Sequence, residues 1–289
     1  MKIKKIIIAL TLLMFLPLFI SAKSQKKEIY IQLYSVRNDI GKDFKGTVAA
    51  VGKMGYTGIE AAGYSEGKFY GLSPEEFKKE IEATGMKVLS SHANKRLANN
   101  ISKTDWNEVW AWWDTAIKAH KEAGMKYIVM PSMPKVNTLA DLKSYCDYYN
   151  QIGEKCNTAG LRFGYHNHAF EFVKVEDEMM YDYMLKNTDP SKVFFQMDVY
   201  WVVRGGKSPV DYFKNYPGRF ETLHIKDDKE LGQSGMVGFD AIFNHTGISG
   251  VKYLIVEVEH YNFKPLESVK KSLDYLNGLS IVKKSYSKK

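Results

Sequence analysis

The chain has 289 residues, 45% of them hydrophobic and 26% charged, with 22 glycines, 8 prolines and a formal net charge of +8. That composition belongs to a globular protein of one large or two small domains and excludes low-complexity and fibrous classes. Lys2, Lys4 and Lys5 at one end and Lys283, Lys284, Lys288 and Lys289 at the other carry much of the excess charge, leaving no basic stripe that would indicate nucleic acid.

Residues 1–22 read as a leader: a basic start, an apolar run over 6–20, and the small exit residues Ser21-Ala22. This is the pattern of a secretory signal peptide cleaved near Ala22. The apolar run, about 15 residues, falls short of the roughly 20 that span a bilayer, which argues against an uncleaved anchor. No cysteine stands directly after it, which argues against a lipoprotein. The mature domain, 23–289, is expected to be exported, periplasmic or secreted, with no stable membrane insertion.

Short strands then alternate with amphipathic helices. Strands are expected over 28–34, 56–61, 86–91, 126–130, 161–163, 193–198, 221–227 and 253–259. Helices are expected over 44–54, 74–84, 105–123, 139–157, 177–187, 209–215, after Phe239-Asp240, and over 265–279. Ser73-Pro74-Glu75-Glu76 supplies a cap, an N1 proline and an acidic first turn. Eight such βα units make the expected fold α/β, a single (β/α)8 TIM barrel. A doubly wound sheet would stop at five or six strands and carry a glycine-rich first turn, and no G-x-G-x-x-G follows strand one.

Cys146 and Cys156 are the only cysteines. Ten residues apart on one helix, they are separated by roughly 15 Å, beyond the reach of about 7 Å that a disulfide allows. Two unpaired, buried thiols are expected. Trp106, Trp110 and Trp113 form an i, i+4, i+7 stripe suited to helix–barrel packing, and Trp112 lies off that stripe as the better candidate for an exposed contact.

Barrel enzymes place their chemistry at the C-terminal ends of strands. Here Glu60, His92, Glu171, Asp198, His224, Glu257 and Glu259 all fall at or just past such ends. Four successive strands ending in ligand types point to one shared metal site. The donors are oxygen and imidazole with no thiol, which suits Mn²⁺, Mg²⁺ or Co²⁺ and admits Zn²⁺.

These residues resemble the sugar phosphate isomerase/epimerase, or xylose isomerase-like, barrels across nearly the whole mature chain. The resemblance runs through Gln32-Leu33-Tyr34-Ser35-Val36-Arg37, Gly55-Tyr56-Thr57-Gly58-Ile59-Glu60 and Tyr165-His166-Asn167-His168…Glu171-Phe172. It continues in Met197-Asp198-Val199-Tyr200-Trp201, His224-Ile225-Lys226-Asp227 and Ile255-Val256-Glu257-Val258-Glu259. It implies a metal held by Asp198, His224, Glu257 and a strand-five group. Many members carry Glu where this chain has His166, so Glu171 swinging back is favoured here, with His166 as the alternative. Glu257 and Glu259 share a strand face, and either can be the ligand.

A divalent ion chelating a carbonyl and its neighbouring hydroxyl acidifies the α C–H and stabilises the enediolate, and a nearby base moves the proton. The candidate acids and bases are His166, His168, Lys226 and Glu259. Lys226 has a bland reading too, as a surface group paired with Asp227. Tyr34, Arg37, Glu60, His92, Tyr200 and Trp201 are expected to face the substrate. With an exported chain and no phosphate-binding glycine loop, an unphosphorylated carbohydrate is the expected partner, for isomerisation or epimerisation. Exported members of the family also imply a 3-keto-glycoside lyase or hydratase as an alternative. Hydrolysis of abasic DNA of the endonuclease IV type is disfavoured by the leader, the modest charge and too few histidines, His120 lying mid-helix and His245 in a late loop. A non-catalytic sugar-binding protein on the same fold is the remaining class. Homo-oligomerisation is left open.

Overall fold

The structure, a computed structural model, describes residues 26–287. The leader expected over 1–22 lies outside the described residues. Eight parallel strands close into a barrel in sequence order: β1 (Ile29–Gln32), β2 (Gly58–Ala61), β3 (Lys87–His92), β4 (Tyr127–Met130), β5 (Arg162–His166), β6 (Val193–Asp198), β7 (Thr222–Ile225) and β8 (Tyr253–Val256). Closure is made at β1, where Ile31 registers with Val256 of β8 on one side and Ile59 of β2 on the other. The main helices are α1 (Phe44–Met54), α2 (Pro74–Glu82), α3 (Trp106–Glu122), α4 (Leu139–Ala159), α5 (Met180–Asn187), α6 (Pro209–Asn215), α7 (Phe239–Ser249) and α8 (Pro265–Gly278). The α/β barrel read from the sequence is the fold observed.

Local chemistry accounts for the helix limits. Asp43, Ser73, Asp105 and Thr138 each accept a backbone N–H at a helix start, and Ser73 with Glu76 completes a reciprocal capping box. Gly55 and Gly160 end α1 and α4 in the left-handed region at φ 107° and 83°, which a side chain would resist.

Inside the barrel, alternation along each strand sorts residues by height. On β6, Phe194, Gln196 and Asp198 point inward in turn, taking the pore from apolar to polar. Phe194 joins Tyr30, Leu89, Tyr127, Val129, Tyr253 and Ile255 in a buried plug near the strand N-termini. Its rings meet edge to face, with Tyr30–Tyr253 centroids 5.3 Å apart and Tyr127–Phe194 5.0 Å. Gly58 and Gly164 make room for it, since a Cβ at either would come within 2.6 Å and 2.4 Å of the Tyr30 and Phe194 rings. The plug closes the bottom of the pore and confines chemistry to the other mouth.

Around the barrel, the tryptophan stripe joins neighbouring helices. Trp113 is fully buried and donates to Tyr148 Oη at 2.5 Å, while Trp106 and Trp110 stack on each other and meet the same tyrosine edge-on and tilted. Trp112 departs from expectation. It is half-buried, edge-on to Tyr64 at 5.6 Å and to Trp113 at 5.0 Å, rather than an exposed contact. Tyr64 belongs to a small hairpin after β2 (Tyr64–Ser65 with Lys68–Phe69) that sequence reading missed. Cys146 and Cys156 are buried and unpaired, and burial pushes both thiols up to about 12. His120 is on α3 as expected, though in its last turn and buried, and His245 sits on α7 and not in a loop. Among the described residues no helix is long and apolar enough to cross a membrane.

Candidate metal and substrate site at the strand ends

Above the plug lies a layer of fully buried polar side chains that includes Gln32, Glu60, Ser90, Gln196 and His224. Glu60 is its centre. Its Oε1 accepts from Gln32 Nε2 at 2.9 Å and lies 2.6 Å from His224 Nε2 and 3.1 Å from His92 Nε2. Its Oε2 accepts from Ser90 Oγ at 2.7 Å and Gln196 Nε2 at 2.9 Å. Burial opposes ionisation, but His92 and His224 hold the carboxyl well below the usual range. With every acceptor site used and no exposure, Glu60 does not face substrate, contrary to expectation.

Sharing His224 with that layer, His166, Asp198, His224 and Glu257 each offer one donor atom, and these atoms lie within 4.8 Å of one another. All four residues are buried, and they come from β5, β6, β7 and the turn just beyond β8. Asp198 Oδ1 accepts from Trp201 N at 3.0 Å, capping the helical turn that follows β6. Its Oδ2 is buried with no hydrogen-bond partner. His224 Nδ1 lies 3.3 Å from Glu257 Oε2. An orphaned carboxylate oxygen costs about 1–3 kcal/mol when nothing satisfies it, and a divalent cation among two imidazoles and two carboxylates would satisfy it. The residues present fit such an ion.

Glu171 does not join them. Its Oε1 accepts from Tyr165 Oη at 2.7 Å and its Oε2 from His168 N at 2.8 Å. The chain after β5 turns into a 3-10 segment (Phe170–Phe172) that packs this carboxyl inward, where burial pushes its pKa up to about 7. The expectation that Glu171 swings back is corrected, and the strand-five donor beside the other three is His166. With that exchange the cluster offers two imidazoles and two carboxylates. Burial, reinforced by His224, His168 and His92, keeps the His166 imidazole well below its usual pKa and hence neutral.

Beside the cluster, Lys226 Nζ lies 3.3 Å from Glu257 Oε2 and 2.7 Å from Glu259 Oε2. Lys226 is only 2% exposed, its ammonium 5.5 Å from the Trp201 ring centroid. Burial works against its charge, but Glu257, Asp198 and Glu259 hold the ammonium above its usual pKa. The surface pairing with Asp227 is not formed. Asp227 instead accepts from the Asp228 and Gly232 amides and from Ser234, bracing the loop after β7.

A cavity of about 430 Å³ opens over this group. Tyr34, His92, His166, His168, Glu257 and Glu259 all line it, as sequence reading anticipated for the mouth. His168 Nδ1 is buried without a partner, and burial lowers the pKa of this imidazole. Arg37 does not line the cavity. It lies 4.3 Å from the Tyr34 ring centroid and donates to Tyr34 O, Tyr261 Oη and Glu259 O, bracing the rim. Trp201 stands behind Lys226 and His168, and Tyr200 turns away to donate to Asp228. Sequence reading missed Tyr64, Asn94 and Pro131 on the wall and Gln196 beneath it. Gln196 was findable: two residues before Asp198 on one strand, it must share the inward face.

A family model described as xylose isomerase-like TIM barrel matches residues 48–279. A sugar phosphate isomerase/epimerase from Parabacteroides distasonis has a solved structure that is 36% identical, with a TM-score of 0.82 covering 89% of this chain and 100% of that one. The solved IolI protein with a binding zinc atom is 16% identical, at TM-score 0.69, over 90% of this chain and 100% of that one, a likeness of fold. Inosose dehydratase of Geobacillus kaustophilus is 20% identical over 62% of this chain, and the match spans 60% of that protein's length. The chain belongs to the xylose isomerase-like TIM barrel family.

Proposed function

We propose that this protein is a divalent-metal-dependent enzyme that moves a proton α to the carbonyl of an unphosphorylated carbohydrate, as an isomerase or epimerase. The observation that carries the reading is the buried His166, Asp198, His224 and Glu257 cluster opening onto the cavity at the strand ends. These four residues would hold the ion. When bound, a divalent cation supplies Lewis-acid polarisation of the carbonyl and stabilises developing negative charge. The donor set suits Zn²⁺ or Co²⁺ as well as Mn²⁺ or Mg²⁺, and the zinc in the IolI structure is in keeping with that.

This chain's own groups carry the proton. His168 and Glu259 both line the cavity. One takes the α proton, the C–H electron pair moves into a C=C bond, and the carbonyl oxygen gains the charge of an enediolate. Return of a proton to the same carbon from the opposite side epimerises the sugar, and return to the neighbouring carbon isomerises it. Lys226 fixes Glu259 at 2.7 Å and presents positive charge next to the developing anion. Apart from Lys226, which is paired with Glu257 and Glu259, no lysine or arginine among the described residues stands at the cavity wall, which favours a substrate without phosphate. The leader read from the sequence adds export to this proposal.

A second reading follows from the dehydratases among the relatives. If a hydroxyl or glycosyl oxygen sits β to the carbonyl, the enediolate electron pair expels it, and the enzyme is a keto-sugar lyase or hydratase. Metal-reconstituted protein incubated in D₂O with simple sugars and with 3-keto-glucosides, followed by proton NMR, separates the two. Deuterium at an α carbon of an intact substrate supports the isomerase or epimerase. Release of the aglycone supports the lyase. Neither with any metal would overturn both in favour of a sugar-binding protein.

A further inference from the structure

We infer that Glu60 and Gln196 form a buried hydrogen-bond relay that fixes which nitrogen each imidazole of the metal cluster turns toward it, so that His166 carries its proton on Nδ1 with a bare Nε2 and His224 commits Nε2 to Glu60. The inference rests on the metal reading above for its purpose, but not for its geometry.

Glu60 stands at the head of the relay. Five side chains approach its two oxygens: Gln32, His92 and His224 at Oε1, Ser90 and Gln196 at Oε2. With both oxygens so occupied there is no free position for a carboxyl proton, and an ionised carboxylate only accepts. Gln196 must therefore direct its amide nitrogen at Glu60, at 2.9 Å. That choice turns its carbonyl the other way, to His166 Nδ1 at 3.1 Å and His92 Nε2 at 2.9 Å. A ring nitrogen facing a carbonyl oxygen must donate. His166 consequently holds its proton on Nδ1, and Nε2 is left as a lone pair.

Glu60 acts on His224 directly. His224 Nε2, 2.6 Å from Glu60 Oε1, donates, which turns Nδ1 toward Glu257, 3.3 Å away, where a cation would displace its proton. One carboxylate thus sets two ligands, the first by contact and the second through an amide that it orients. Neither Glu60 nor Gln196 reaches the cavity, so both are positioning residues. An outer hydrogen bond of this kind fixes ring orientation and tautomer and raises ligand basicity.

The test uses full-length protein without metal, labelled with ¹⁵N-histidine. Long-range ¹H–¹⁵N correlation reads the protonated nitrogen of each ring. The wild type should show His166 protonated at Nδ1 and bare at Nε2, and Gln196→Leu should give His166 a mixture of tautomers. Competition with a chromophoric chelator then reads the affinity for Zn²⁺ and Mn²⁺. Glu60→Gln and Gln196→Leu should each weaken it by about 10- to 100-fold. A wild-type His166 protonated at Nε2 overturns the relay, and that spectrum decides the matter even if the variants fail to fold. Folded variants with unchanged spectra and unchanged affinity overturn it as well. A wild type with the expected tautomers that binds no divalent ion would sink the metal reading and leave the relay standing.

Discussion

Glu171→Gln probes whether the carboxyl after β5 is a buried, proton-holding group or a metal ligand. Glu171 is fully buried, and burial raises its pKa from 4.5 to about 7 against the hydrogen bonds from Tyr165 and His168 that favour the charged form. A native pKa above the unfolded one means that the folded state holds the proton more tightly. The contribution of this group to stability is complete below pH 4.5 and is lost as pH rises through about 7. A displacement of about 2.5 on the pH scale corresponds to about 3 kcal/mol. Urea unfolding of the wild type and the glutamine variant, in chelator from pH 4 to pH 8, reads the difference. Between those limits the balance should move by about 3 kcal/mol in favour of the variant. A constant offset from a hydrogen bond lost on substitution drops out of that comparison. Parallel stability curves would refute the raised pKa. Zinc affinity should hold within about threefold, whereas a loss beyond about tenfold would return Glu171 to the ligand set.

Asp198→Asn keeps a side-chain acceptor for the Trp201 amide but removes the charge beside the cluster. Divalent-cation affinity should fall at least about tenfold by chelator competition, with the circular dichroism spectrum unchanged. Lys226→Met leaves Glu257 and Glu259 without their shared cation in a buried setting. A stability loss of about 3–5 kcal/mol in denaturant titration is expected, and no loss would mean that water already screens the pair. Trp113→Ala removes a fully buried indole and its bond to Tyr148. It should cost about 3–5 kcal/mol in the same titration, and a cost below about 1 kcal/mol would contradict the packing role of the stripe.

Pattern alone determined the barrel, because strand and helix periods, caps and glycine stops are local properties of the chain. Ser73-Pro74-Glu75-Glu76 starts a helix wherever it stands, and eight alternating βα units have few ways to bury eight apolar strands. The same period placed Asp198, His224 and Glu257 at one mouth, since a strand that ends there delivers its last inward residue there. Beyond the strand ends that logic stops. Whether Glu171 or His166 enters the cluster depends on how the chain turns after β5, and a 3-10 turn against Tyr165 sends the carboxyl inward. Glu60 reads in sequence like any other strand-end acid. Only closure of the barrel brings Gln32, Ser90, Gln196, His92 and His224 around it from other strands and turns it from a substrate contact into a buried acceptor. Trp112 and Tyr200 likewise took their places from the Tyr64 hairpin and from Asp228, partners 48 and 28 residues away in the chain. Local periodicity fixes which face a residue occupies. Which groups meet across that face is decided by contacts between distant segments, which exist only once the barrel has closed.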